Sequence, residues 1–142
     1  MIAELKVFLI AMSPVLELRG SIPMALGIYH LPIWSAFLIS ILGNIVPVAV
    51  LLQLLKFVPE NRLLSWLFER TRRKHTAKFE QWKEYALIIL VAIPLPFTGA
   101  WTGSLCAFVF GIPFKKALML ISCGVIIAGL IVTLLYETIS CC

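Results

Sequence analysis

The sequence predicts an all-α integral membrane protein, an inverted repeat of a re-entrant hairpin plus a transmembrane helix, with a cytoplasmic amphipathic helical segment joining the copies. Three observations lead there. Of 142 residues 61% are hydrophobic and 13% charged, about half the charge of an ordinary soluble domain. Ten of the twelve basic residues fall between Lys56 and Lys116, and such an excess belongs on the cytoplasmic side. The two halves also align without a gap: Pro32 on Pro113, Ala36 on Ala117, Gly43 on Gly124.

The elements follow in order within a single membrane domain, 1–142. Residues 2–30 read as hairpin 1. Ile2 to Ser13 is apolar apart from Glu4 and Lys6, and twelve helical residues rise about 18 Å, too short for a hydrocarbon core of ~30 Å. A signal peptide is disfavoured by Glu4 in the would-be basic region and by the lack of a small-x-small cleavage site. Pro14 limits this helix. Ser21 is placed to cap the next one and Pro23 suits its first turn, with an end near Tyr29. One kinked spanning helix from Val7 to Ile28 is the alternative. Residues 33–56 form the first transmembrane helix, uncharged from Ile33 to Leu55 and interrupted by Gly43-Asn44 and Pro47. Asn44 either serves the site or makes an interhelical hydrogen bond.

Residues 57–84 change character. Leu63, Leu64, Leu67 and Phe68 recur at helical spacing, and Arg70-Thr71-Arg72-Arg73-Lys74 follows. This reads as an interfacial helix on anionic lipid headgroups, each basic side chain contributing about 1 kcal/mol. Residues 86–112 read as hairpin 2, with Pro94-Leu95-Pro96 stopping its first arm and Thr102 or Ser104 capping its second. Residues 114–137 give the second transmembrane helix.

A hairpin plus one span is an odd number of crossings, so tandem copies must be inverted. The basic segment and Lys115-Lys116 then share the cytoplasmic side, and both termini lie outside. The chain is placed in the cell membrane as a multi-pass protein. Small faces around Gly43, Gly124 and Gly129 predict a homodimer, or a larger homo-oligomer, that screens the polar tips from lipid.

Function centres on the two interruptions. Between Lys6 and Lys56 the only charges are Glu17 and Arg19, and a charge at bilayer depth costs about 2.5–3.5 kcal/mol on insertion scales. The candidate binding residues are Glu17, Arg19, Gly20, Ser21, Pro23 and Asn44 in the first half, and Pro96, Thr98, Gly99, Trp101, Thr102, Gly103 and Ser104 in the second. Helix starts at both tips, the Arg19 guanidinium and the hydroxyls favour an anion, phosphate or carboxylate above others. Glu17 pairs with Arg19 or carries a coupled proton, and Trp101 offers a flat apolar or cation-binding face. A purely structural Glu17–Arg19 pair is the competing reading.

Other classes find less support. Cys106, Cys123, Cys141 and Cys142 lack C-x-x-C spacing and a His-rich companion set, so no metal or other cofactor is predicted. No nucleophile motif points to an enzyme. One basic loop between apolar segments does not predict nucleic-acid binding.

Glu17-Leu18-Arg19-Gly20-Ser21-Ile22-Pro23 and Pro94-Leu95-Pro96-Phe97-Thr98-Gly99-Ala100-Trp101-Thr102-Gly103 resemble the two signature stretches of the small multi-drug export protein family, over nearly the whole chain. More distantly the chain is similar to the DedA/VTT membrane proteins. That likeness implies inverted re-entrant hairpins and either a lipid-carrier substrate such as undecaprenyl phosphate or lipid scrambling. It departs in the second tip, where Phe97 to Ser104 has none of the DedA-type arginines. Together these imply an exporter of a small or amphipathic anionic substrate, a class that includes lipid-linked phosphates, acting by alternating access. A non-transporting structural or interaction protein of the membrane is the alternative.

Overall fold

A computed structural model describes residues 1–58, Trp66, Glu69, 77–94 and 98–142, with the backbone alone for 77–80. Six helices are described and, among these residues, no strand: α1 Ile2–Met12, α2 Glu17–Gly27, α3 Ile33–Leu55, α4 Ala77–Ala92, α5 Ala100–Val109 and α6 Phe114–Ser140. The all-helical expectation holds. The helices α3 and α6 are long and apolar enough to cross a membrane. The helices α1, α2 and α5, of 11, 11 and 10 residues, rise about 15–17 Å at 1.5 Å per residue.

Proline sets most of the boundaries. α1 stops at Met12 with Ser13 extended (φ −68°, ψ 133°), because the residue before Pro14 is driven out of the helical region. α3 and α6 each start just after an extended proline, Pro32 (φ −61°, ψ 144°) and Pro113 (φ −62°, ψ 150°). Each is preceded by a left-handed residue, His30 (φ 50°) and Gly111 (φ 69°). At these turns the Leu31 N–H reaches the Ala25 carbonyl at 2.9 Å and the Ile112 N–H the Ala107 carbonyl at 3.0 Å, closing α2 and α5.

Several expected boundaries move. α2 starts at Glu17, so Ser21 does not cap it and Pro23 lies inside it. Glu17 makes the turn instead, at φ 44°, with its N–H on the Ser13 carbonyl at 3.1 Å. Pro23 has no N–H for the carbonyl four residues back, that of Arg19. α2 ends at Gly27, short of Tyr29, and α6 runs on to Ser140. α4 starts at Ala77 rather than at Ala86, because no glycine or proline interrupts 77–92; the first arm of the second hairpin draws on the basic segment. Most of that segment (59–65, 67–68 and 70–76) lies outside the described residues, as does Pro96. Trp66 is exposed.

The long helices α3 and α6 pack on each other, with α1 crossing α3 and α4 crossing α6. α2 and α5 each pack against both long helices. Glycine permits both crossings. A Cβ on Gly43 would lie 2.7 Å from the Phe8 carbonyl oxygen, and one on Gly124 2.7 Å from the Val91 Cβ. Gly129 faces the Phe37 ring. The small faces on which assembly was predicted are thus occupied within the chain.

Burial repeats between the halves. Positions 36, 40, 43, 44, 47 and 48 of α3 are buried, and so are 117, 121, 124, 125, 128 and 129 of α6, each 81 residues on. In α2 and α5 the matching pairs are 18/100, 21/103, 22/104 and 25/107, 82 residues apart. The tips therefore align one residue away from the gap-free register, with Glu17 opposite Gly99 and not Thr98.

Charges mark the two ends of the bundle. At one end the Lys56 ammonium lies 4.3 Å from the centre of the Phe114 ring and Lys116 pairs with Glu84. At the other, Lys6 stands 6.0 Å from the Tyr29 ring and Gly27 faces the Tyr136 hydroxyl.

Candidate functional site

Between these ends the tips of the two hairpins meet. The Glu17 carboxylate accepts the backbone N–H groups of Ala100 and Trp101 at the start of α5. It lies where a side chain on Gly99 would begin, and a Cβ there would overlap it. Gly99 itself is extended, at φ 161°, so the glycine serves the close approach and not a strained turn. Two residues on, Arg19 Nη2 donates to the Thr98 carbonyl at 2.9 Å. The Thr98 hydroxyl donates to the Ile93 carbonyl, also at 2.9 Å, which ties Thr98 to the residue that follows α4.

One turn of α2 thus clamps residues 98–101. The cation takes the carbonyl ahead of α5, and the anion takes the N–H groups at its positive end. Hydrogen bonds to charged groups contribute about 1.5–3 kcal/mol each. The left-handed Glu17 backbone costs roughly 1–2 kcal/mol, so the contacts it directs outweigh its strain.

The clamp replaces the hydroxyl caps expected from sequence. α5 has no side-chain cap of its own; Glu17 from the other hairpin supplies one. Thr102 and Ser104 lie inside α5, and the Ser104 hydroxyl donates to the Ala100 carbonyl at 2.7 Å, which removes it from the binding surface. Ser21 is fully buried and its hydroxyl has no protein partner. Gly20 packs on Leu16 within its own turn, Gly103 packs on Val91 of α4, and Pro23 lies further along α2.

Two cavities flank the clamp. An outer vestibule of about 310 Å³ is lined by Val15, Leu16, Glu17, Arg19, Trp101 and Thr102, among others. The buried Trp101 Nε1 has no protein partner. An inner chamber of about 20 Å³ is lined by Glu17, Arg19, Thr98 and Asn44, with Val125 and Val132 of α6. Glu17, Arg19 and Thr98 border both and form the partition between them. Of the residues predicted from sequence, the structure therefore joins Glu17, Arg19, Asn44, Thr98, Gly99, Trp101 and Thr102.

Sequence reasoning missed Ala100, whose contribution is a backbone N–H without side-chain signature, and Val15 and Leu16, signalled only by the break at Pro14. A third cavity, about 490 Å³, lies at the far end of the bundle beside His30, Tyr136 and Glu137 and shares no residue with the clamp.

Residues 17–131 match the family described as "Putative small multi-drug export protein", a match that opens on Glu17 and takes in both tips and most of α6. No curated protein and no solved structure matches the chain. With the signature stretches brought together at the clamp and the match covering most of its length, the chain belongs to the small multi-drug export protein family.

Proposed function

We propose that the protein is a multi-pass carrier of the cell membrane that exports a small or amphipathic anion, with the vestibule as its binding site. One observation carries this: a guanidinium and a helix start converge beside a cavity of about 310 Å³, next to Trp101. That set suits a carboxylate or phosphate with an apolar body, a description that includes a lipid-linked phosphate. In this reading Glu17 holds the place of the substrate. Its carboxylate and an incoming anion compete for the Ala100 and Trp101 N–H groups, and proton uptake by Glu17 releases them, which couples a proton to the anion. No reaction chemistry is required of the protein.

The same proposal takes the two helical hairpins as re-entrant and the halves as an inverted repeat. The paired buried positions of α3 and α6, the close approaches at Gly43 and Gly124 and the packing of α2 and of α5 against both long helices support it. Alternating access is then a rocking of one half on the other about the clamp. The end bearing Lys56 and Lys116 faces the cytoplasm with the basic segment on anionic headgroups. A homodimer covers the hairpin 1 tip, where Val15 is 85% exposed and lipid would leave backbone groups unsatisfied.

A second reading has an observation of its own. Both charges already have protein partners, so the clamp alone could be a structural tie in a non-transporting membrane protein. Reconstitution separates the two. Proteoliposomes loaded with an amphipathic carboxylate or phosphate should release it faster than protein-free vesicles, in a manner sensitive to the pH gradient. Equal release across a panel of such anions favours the structural tie.

A further inference from the structure

The inner chamber has chemistry that the vestibule does not explain. Asn44 projects from α3, is 1% exposed, and its Oδ1 has no protein partner. A buried unpaired amide oxygen is costly, about 1–3 kcal/mol, and the cost falls if the chamber holds a partner. The volume of about 20 Å³ exceeds the ~10–15 Å³ that one water requires.

The lining decides what that partner is. Arg19 offers donors, while the Glu17 carboxylate and the Asn44 oxygen accept. A metal cation would meet the guanidinium charge, and an anion would meet the carboxylate. Water alone both donates and accepts, and two or three such partners match the usual number for a buried water. The side-chain amide suits water in either orientation, since its NH2 would donate where its oxygen accepts. Val125 and Val132 add apolar surface to the lining.

We infer that the chamber is a resident water site: one water joins Asn44 of α3 to Glu17 and Arg19 on the side away from the vestibule. Asn44 is then a positioning residue for the clamp. It holds the face of Glu17 that the substrate does not reach, and so influences which protonation state of Glu17 accompanies anion binding. This last consequence rests on the transport reading above; the water site does not.

Two measurements test it. A structure of the full chain in lipid discs, at a resolution that shows ordered solvent, should place one water within hydrogen-bond distance of Asn44 and Glu17. A chamber without density, or an Asn44 amide bonded only to protein, overturns the inference. The second measurement is binding of sulfate, which does not titrate in the working range, followed by thermal shift between about pH 4 and 9, a span that includes the ordinary glutamate range. Asn44→Leu should displace the pH midpoint of binding by about one unit, the tenfold effect of one hydrogen bond to a charged group. Asn44→Ser, which leaves room for water and a hydroxyl to hold it, should restore the midpoint. An unchanged midpoint in Asn44→Leu overturns the positioning role. If wild type binds no sulfate at any pH, the anion reading fails, and the solvent density still decides the water site.

Discussion

The Glu17 carboxylate occupies the space that a side chain on Gly99 would fill, and takes the N–H groups of the two residues that follow. Two distant points of the chain, each unusual in a membrane segment, therefore explain one another. The glycine is small because the carboxylate is there, and the half-buried carboxylate is satisfied because the glycine exposes the start of α5.

Gly99→Ala should accordingly break the clamp. Its Cβ overlaps the carboxylate, and overpacking of this kind costs roughly 1–3 kcal/mol. Thermal unfolding of the purified protein should show a lowered midpoint, and the double variant Gly99→Ala/Glu17→Ala should lose less than the two singles combined. Additive losses would mean that the residues do not share this contact.

Glu17→Ala should leave an anion cradle with two N–H donors and no occupant from the chain. Formate should fill it and raise the unfolding temperature of the variant, while wild type stays unresponsive at the same concentration. A ligand present at 100 times its dissociation constant stabilises by about 2.7 kcal/mol, well within reach of a thermal-shift measurement. No difference between variant and wild type would contradict the cradle.

The helix crossings make a separate prediction. Gly43→Val and Gly124→Val place a branched side chain against the Phe8 carbonyl and against Val91. Each should lower folded yield markedly. Leu42→Val and Cys123→Val, one residue earlier on exposed faces, should have little effect. Equal tolerance at the glycines would show that these helices do not cross so closely.

The sequence makes parts of this structure legible for physical reasons. Prolines at 14, 32 and 113 mark boundaries because their geometry is local, and the length of an uncharged run marks the long helices. The charged pair stands out because charge is rare in apolar sequence. The partner of that pair is far less visible. Glu17 binds backbone N–H groups rather than a complementary side chain, and backbone donors have no residue signature. Serine and threonine near a helix start suggest local caps, as at Ser21, Thr102 and Ser104, but here a cap arrives from 83 residues away in sequence, between Glu17 and Ala100. Glycines read as a dimer surface, since close packing gives the same signal whether the neighbour is another copy or another helix of the same chain.

Topology should follow the charged ends of the bundle. In a variant with Cys106, Cys123, Cys141 and Cys142 replaced by serine, a single cysteine at Lys116 should resist an impermeant thiol reagent in intact cells, and one restored at Cys141 should react. The reverse pattern would invert the cytoplasmic assignment.

The central claim, that the Glu17–Arg19 clamp is a transport site, is tested most directly by measuring folded yield and anion flux together in three variants. Arg19→Lys retains the charge and loses the planar fork, and Glu17→Gln retains the shape and loses the titrating group. Near-normal yield is expected for both, with flux falling roughly tenfold or more in Arg19→Lys and losing its response to the pH gradient in Glu17→Gln. The double variant Glu17→Gln/Arg19→Gln should fold and remain inactive. Loss of yield in both singles, recovered together with flux in the double variant, would contradict the claim and leave the clamp a structural tie.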